Sequence, residues 1–100
     1  MEDRIRIYYP QGKMELVLSQ FFPCLVRQAK IIFPLINTYA DESEKDKVRQ
    51  YLTGYANNQK ERMTAMEEGR IPGRRTVGYN YHRTQALYKR ALRNLEFLED

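Results

Sequence analysis

The sequence predicts a mainly α, α+β chain: a short N-terminal strand or β-hairpin followed by a three-helix bundle. Three observations carry this expectation. Apolar and charged residues alternate over positions 4–9, turn chemistry follows at Pro10-Gln11-Gly12, and apolar residues then recur at spacings of three and four through most of the remaining chain. With 100 residues there is material for one hydrophobic core, so a single domain over 1–100 is expected.

In the first element Ile5, Ile7 and Tyr9 fall on one side and Arg4, Arg6 and Tyr8 on the other, the period-two pattern of a half-buried strand. Proline at position 10 presets φ, and glycine at position 12 tolerates φ above zero, so the chain can turn back here. The return segment, 13–18, alternates Met14, Leu16 and Leu18 with Lys13, Glu15 and Val17. Because Met, Glu and Leu are also good helix formers, it reads either as the second strand or as part of a helix.

Phe22, Leu25, Val26, Ala29, Ile32, Phe33, Ile36 and Tyr39 mark a first helix over about 23–39, with an apolar stripe broad enough for the centre of the fold. Pro23 suits a first turn, whereas Pro34 should kink or divide the helix. Asp41-Glu42-Ser43-Glu44 then has the form of a helix start, with Asp41 as cap and Glu44 at the capping-box position. A second helix is expected over 42–68, with Gln59 as a polar gap in its stripe and Gly69 as its C-terminal stop. Gly54 weakens its middle by roughly 1 kcal/mol relative to alanine and suggests a close helix crossing.

Residues 69–78, with Pro72, Gly73 and Gly78, form the clearest loop, and Tyr81, Thr84, Tyr88, Ala91, Leu92, Leu95 and Leu98 mark a third helix over 79–98. Helices two and three should pair antiparallel. They would bury Val48, Leu52, Tyr55, Met63 and Met66 against Tyr88, Leu92 and Leu95, with helix one closing the third side.

Composition excludes several classes of function. Hydrophobic residues at 42% and charged residues at 30% are near the globular average, against disorder. The longest apolar-rich stretch, 21–39, holds Arg27, Gln28, Lys30 and two prolines, so no membrane span is expected. The first residues lack the layout of a secretory signal, and a cytoplasmic location is expected. A single cysteine, Cys24, reads as a buried inert thiol, and a single histidine, His82, as a solvent-facing helix residue. Phosphate-binding, zinc-protease and nucleophile-elbow motifs are missing from the sequence, so no catalytic, cofactor or metal residue is assigned and a non-enzymatic protein is expected.

Charge is the informative feature. The net charge is +4, yet residues 70–100 hold seven basic and three acidic groups while 41–69 hold five and seven. Between Arg70 and Arg93 there is no Asp or Glu. On a helical wheel, His82, Arg83, Lys89, Arg90 and Arg93 form the ordinary wet side of an amphipathic helix, whereas Arg70, Arg74 and Arg75 sit in a loop with no core role. The candidate partner-binding residues are therefore Arg70, Arg74, Arg75, Tyr79, Tyr81, Arg83, Lys89 and Arg90.

The expected role is that of a small adaptor, regulator or inhibitor contacting an acidic protein or nucleoprotein surface through loop 70–83. The alternative is weakly specific nucleic-acid binding, with arginines on phosphates and a tyrosine stacked on a base, or inhibition of a nucleic-acid-processing machine of phage or mobile-element type. Among eight tyrosines and four phenylalanines, Tyr8, Tyr79 and Phe97 are expected to be exposed. An unpaired hairpin edge would offer a route to a homodimer or to a strand from another chain, unless Arg4 and Arg6 guard it.

Overall fold

Strand β1 (Arg4–Tyr9) and strand β2 (Gly12–Val17) form a two-stranded antiparallel sheet in which Ile5 faces Leu16, Arg6 faces Glu15, Ile7 faces Met14 and Tyr9 faces Gly12. The computed structural model describes residues 4–21, 26–69 and 77–98. Alternation sorts β1 as its sequence requires: Ile5 and Ile7 are wholly buried and Tyr8 is 64% exposed. Proline cannot supply the positive φ that a type I′ or II′ turn needs at its first position, so the two-residue loop Pro10-Gln11 is accommodated at Gly12, whose φ is 152°. The segment that could have been strand or helix is strand to Val17, and Leu18, 1% exposed, opens the four-residue helix α1 (Leu18–Phe21).

Helix α2 (Val26–Tyr39) continues through Pro34 as one element. Pro34 faces solvent, while Phe33 and Ile36 on either side of it are each 1% exposed, so core packing holds both halves despite the lost hydrogen bond. Pro23 and Cys24 lie outside the described residues. Helix α3 (Glu42–Glu67) starts and stops where the sequence indicates. Its start differs in detail, because Asp41 occupies the N-cap without a side-chain capping bond. Its end follows the glycine rule: Gly69 takes φ 76° and donates its N–H to the Met66 carbonyl at 3.2 Å. Helix α4 (Val77–Phe97) runs back along α3.

The core joins Ile5 and Ile7 of β1, Leu18 of α1, Ala29, Phe33 and Ile36 of α2, Val48 and Leu52 of α3, and Leu98. Each large aliphatic or aromatic side chain here contributes about 1.5–3 kcal/mol of burial. All of them lie at the hairpin end of the molecule, where α2 meets the C-terminal end of α4 through the Phe33 and Phe97 rings, 6.0 Å apart. Phe97 is thus half-buried on the core rather than an exposed ring. Beyond Leu52 the described parts of α3 and α4 pack chiefly on each other, giving the molecule its 51 × 24 × 20 Å outline.

The α3–α4 seam departs from the expected large apolar pairs. Leu92 is 39% exposed and Tyr55 only half-buried, whereas Ala56, Gln59, Met63, Ala65, Thr84, Ala91 and Asn94 are buried. Small side chains permit close approach of two helix axes, and α4 is rolled accordingly, with Asn94 inward and Leu92 outward. Gly54 does not mark a crossing. It is exposed, and a Cβ built on it would meet nothing within 4 Å.

Candidate interaction surface

From Val77 to Leu95 the chain contains no acidic residue. Because α4 buries Thr84, Ala91 and Asn94, its opposite side turns His82, Arg83, Ala86, Lys89 and Arg93 to solvent, with Arg90 half-buried beside them. Counting from Ala86, the positions i+3, i+4 and i+7 are Lys89, Arg90 and Arg93, so three cationic side chains rise around one methyl group. Ala86, Lys89, Arg90, Arg93 and Asn94 line a notch of about 230 Å³. By sequence Lys89 and Arg90 are contact candidates and Arg93 belongs to the same wet helix side without being one, whereas Ala86 and Asn94 carry no such mark. A small residue one turn before a basic pair was the available signal.

Cations of the hairpin and of the first turns of α3 are matched by carboxylates, whereas Lys30, Lys60 and Arg62 have no carboxylate partner among the described residues. In the hairpin, Glu15 lies 3.7 Å from Arg4, 3.5 Å from Arg6 and 3.6 Å from Lys13. At the start of α3, Lys45 pairs with Glu42 at 3.7 Å, Lys47 with Glu44 at 3.1 Å, and Arg49 with Asp46. By contrast, Arg83, Lys89 and Arg93 have no carboxylate partner among the described residues. The positive field of α4 is therefore not cancelled locally.

Tyr81 has a second role at the base of α4. Its hydroxyl donates to Glu67 Oε1 at 2.6 Å, bridging the end of α3 and the first turns of α4. This hydrogen bond is the main reason its phenol is raised above the ordinary 10.0, with desolvation and the Glu67 charge acting in the same direction. The Tyr81 ring meets His82 edge-on, with centroids 6.4 Å apart. Arg70, Arg74, Arg75 and the Tyr79 side chain lie outside the described residues.

Other concavities have different chemistry. Arg4, Arg6, Tyr8 and Lys47 line a cleft of about 200 Å³ together with Asp41 and Glu44, so its charges are mixed. Lys30, Phe33, Pro34, Asn37, Thr38 and Phe97 line a more apolar one of about 370 Å³, closed at one side by the Asn37 amide donating to the Phe97 carbonyl at 2.7 Å. Among the described residues there is no cluster of three or more His, Cys, Asp or Glu side chains able to hold a metal ion, and no helix long and apolar enough to cross a membrane. Comparison of the chain with protein-family models, curated proteins and solved structures finds no match.

Proposed function

We propose that this chain is a small non-enzymatic interaction protein, an adaptor, regulator or inhibitor, that docks on an acidic protein or nucleoprotein surface through residues 70–83, of which 77–83 are the first turns of α4, and through the basic side of that helix. The observation that supports this reading is the partition of charge. Cations of the hairpin and of the first turns of α3 are held by neighbouring carboxylates, while Arg83, Lys89 and Arg93, gathered on one regular helix, have no carboxylate partner among the described residues. Guanidinium and ammonium groups fixed on a helix lose less freedom on meeting carboxylates than the same groups on a mobile chain.

An acidic protein surface suits the patch better than a nucleic-acid track. Arg83 and Arg93 are ten positions apart, about 15 Å along a helix at 1.5 Å per residue, which spans few phosphates. A net charge of +4 also provides little long-range attraction to a polyanion.

The test uses the whole chain as bait in extract of its native cells, with and without nuclease treatment, beside an Arg70→Ala/Arg74→Ala/Arg75→Ala variant and a Lys89→Ala/Arg93→Ala variant checked for helicity by circular dichroism. An acidic protein should be recovered by the parent and lost from both variants. Equal recovery by all three baits rejects the surface, and recovery that disappears with nuclease treatment transfers the assignment to nucleic acid.

A further inference from the structure

Arg6 of β1 donates its backbone N–H to Glu44 Oε2 at 2.7 Å, not to Glu15, the residue opposite it in the sheet. Directly opposed residues of an antiparallel ladder alternate between pairs that exchange two hydrogen bonds and pairs that exchange none. Arg6 with Glu15 is therefore a non-bonded pair, and Tyr8 with Lys13 and Arg4 with Val17 share its parity. It follows that the N–H and C=O groups of Lys13, Glu15 and Val17 point away from β1, off the outer edge of β2.

The two edges of this small sheet differ. The edge of β1 is closed at Arg6 by Glu44, and β1 packs beside α2 and α3. The chief neighbours of β2 are β1 itself and α1, the helix that follows it directly. Coverage of the inner face tells the same story: Ile5 and Ile7 on β1 are wholly buried, whereas Met14 and Leu16 on β2 are only half-buried.

We propose that the outer edge of β2 pairs antiparallel with β2 of a second copy of this chain, about a two-fold axis at Met14, giving a four-stranded sheet. The register follows from charge. An axis at Lys13 would set Lys13 against its own copy, and an axis at Glu15 would oppose two carboxylates. With the axis at Met14, Lys13 faces Glu15 of the second copy twice, once on each side, and both residues have their backbone groups aimed at the partner. On the outer face each Glu15 then lies between its own Arg6, 3.5 Å away, and Lys13 of the other copy. On the inner face the two Met14 side chains meet across the axis with Leu16 beside them, covering apolar surface that a single copy leaves half open.

Sedimentation equilibrium over micromolar to millimolar protein tests this, with Lys13→Glu, Glu15→Lys and the combined swap, each checked for native circular dichroism. The parent should show the mass of two chains. Each single swap places like charges opposite one another twice and should weaken the dimer about tenfold. The combined swap re-creates opposite charges between copies and also between residues 13 and 15 of one chain, 3.6 Å apart, so urea denaturation of the dilute single chain is measured beside it: affinity that returns while single-chain stability does not follow it comes from the intermolecular register. Lys13→Glu leaves the Arg4 and Arg6 pairs with Glu15 in place but removes the Lys13 pair of the same chain, so its native circular dichroism and single-chain stability separate edge pairing from loss of the hairpin. A single-chain mass throughout the range overturns the proposal. So does a dimer indifferent to both single swaps, or one that the combined swap fails to restore.

Discussion

The carboxylate of Glu44 in the first turn of α3 accepts the backbone N–H of Arg6 in β1 at 2.7 Å and lies 3.1 Å from Lys47. By sequence Glu44 belongs to a local capping box, but Asp41 makes no side-chain capping bond and Glu44 serves a tertiary contact between residues 38 positions apart. A β-edge donor is satisfied by a charged acceptor, which is the stronger class of hydrogen bond. Glu44→Ala is expected to lower unfolding stability by about 1–2 kcal/mol, and Glu44→Gln, which keeps an oxygen acceptor, by less. Urea denaturation measures both, and parental stability in Glu44→Ala would show the tie to be without weight.

The same substitution should have opposite signs at two glycines. Gly54 is exposed within α3 with open space around its Cα, so Gly54→Ala is expected to raise stability by about 1 kcal/mol through helix propensity alone. Gly69 holds φ 76° after the end of α3, where a Cβ is strained whatever the space, and Gly69→Ala should lower stability by roughly 1 kcal/mol. Thermal unfolding of the pair checks this, and shifts in the same direction would contradict it.

Gln59 is 6% exposed, and its Oε1 atom is buried without a hydrogen-bond partner among the described residues. A buried amide oxygen that has left water without replacement carries a desolvation cost. Gln59→Met, close in length and shape, should therefore stabilise the α3–α4 seam by about 1 kcal/mol. Chemical denaturation reads the change, and a loss of stability would mean that the glutamine supports the seam in another way.

Tyr81 and Glu67 make the contact between the end of α3 and the start of α4 sensitive to alkaline pH. The neutral phenol donates to the carboxylate, and ionisation would oppose two negative charges, so the folded phenol titrates above its ordinary 10.0. The contribution of this contact is complete below 10.0 and is lost as pH rises through the raised value. Glu67→Gln should move the Tyr81 titration, followed by the NMR shift of its ring carbons, downward toward 10.0, with the other tyrosines unchanged. A Tyr81 titration equal in the two proteins would dissociate the phenol from this partner.

Strand β1, the start of α3 and the glycine stop at Gly69 were legible in the sequence, because alternation, acidic helix starts and positive-φ glycines depend on a few neighbouring residues. The roll of α4 was not. Leu92, Tyr88 and Leu95 make a plausible apolar arc, yet the burial of Asn94 and Ala91 depends on how near α3 approaches, which no local pattern encodes. Gly54 misled for the same reason: an absent side chain signals close approach only when a neighbour lies on that side.

The candidate surface divides along the same line. Its cationic run with no acid from Val77 to Leu95 is a property of the sequence, and so is the rule that helical spacing gathers Lys89, Arg90 and Arg93 on one side of Ala86. Tertiary structure decided which cations remain uncompensated. Folding brings Glu15 to Arg4 and Arg6 across the hairpin and turns Glu44 toward β1, while it brings no carboxylate among the described residues to Arg83, Lys89 or Arg93. Periodicity and the i,i+3 pairs of α3, Lys45 with Glu42, Lys47 with Glu44 and Arg49 with Asp46, are set within a turn of helix, whereas the pairs of Arg4 and Arg6 with Glu15 require two strands that only folding brings together.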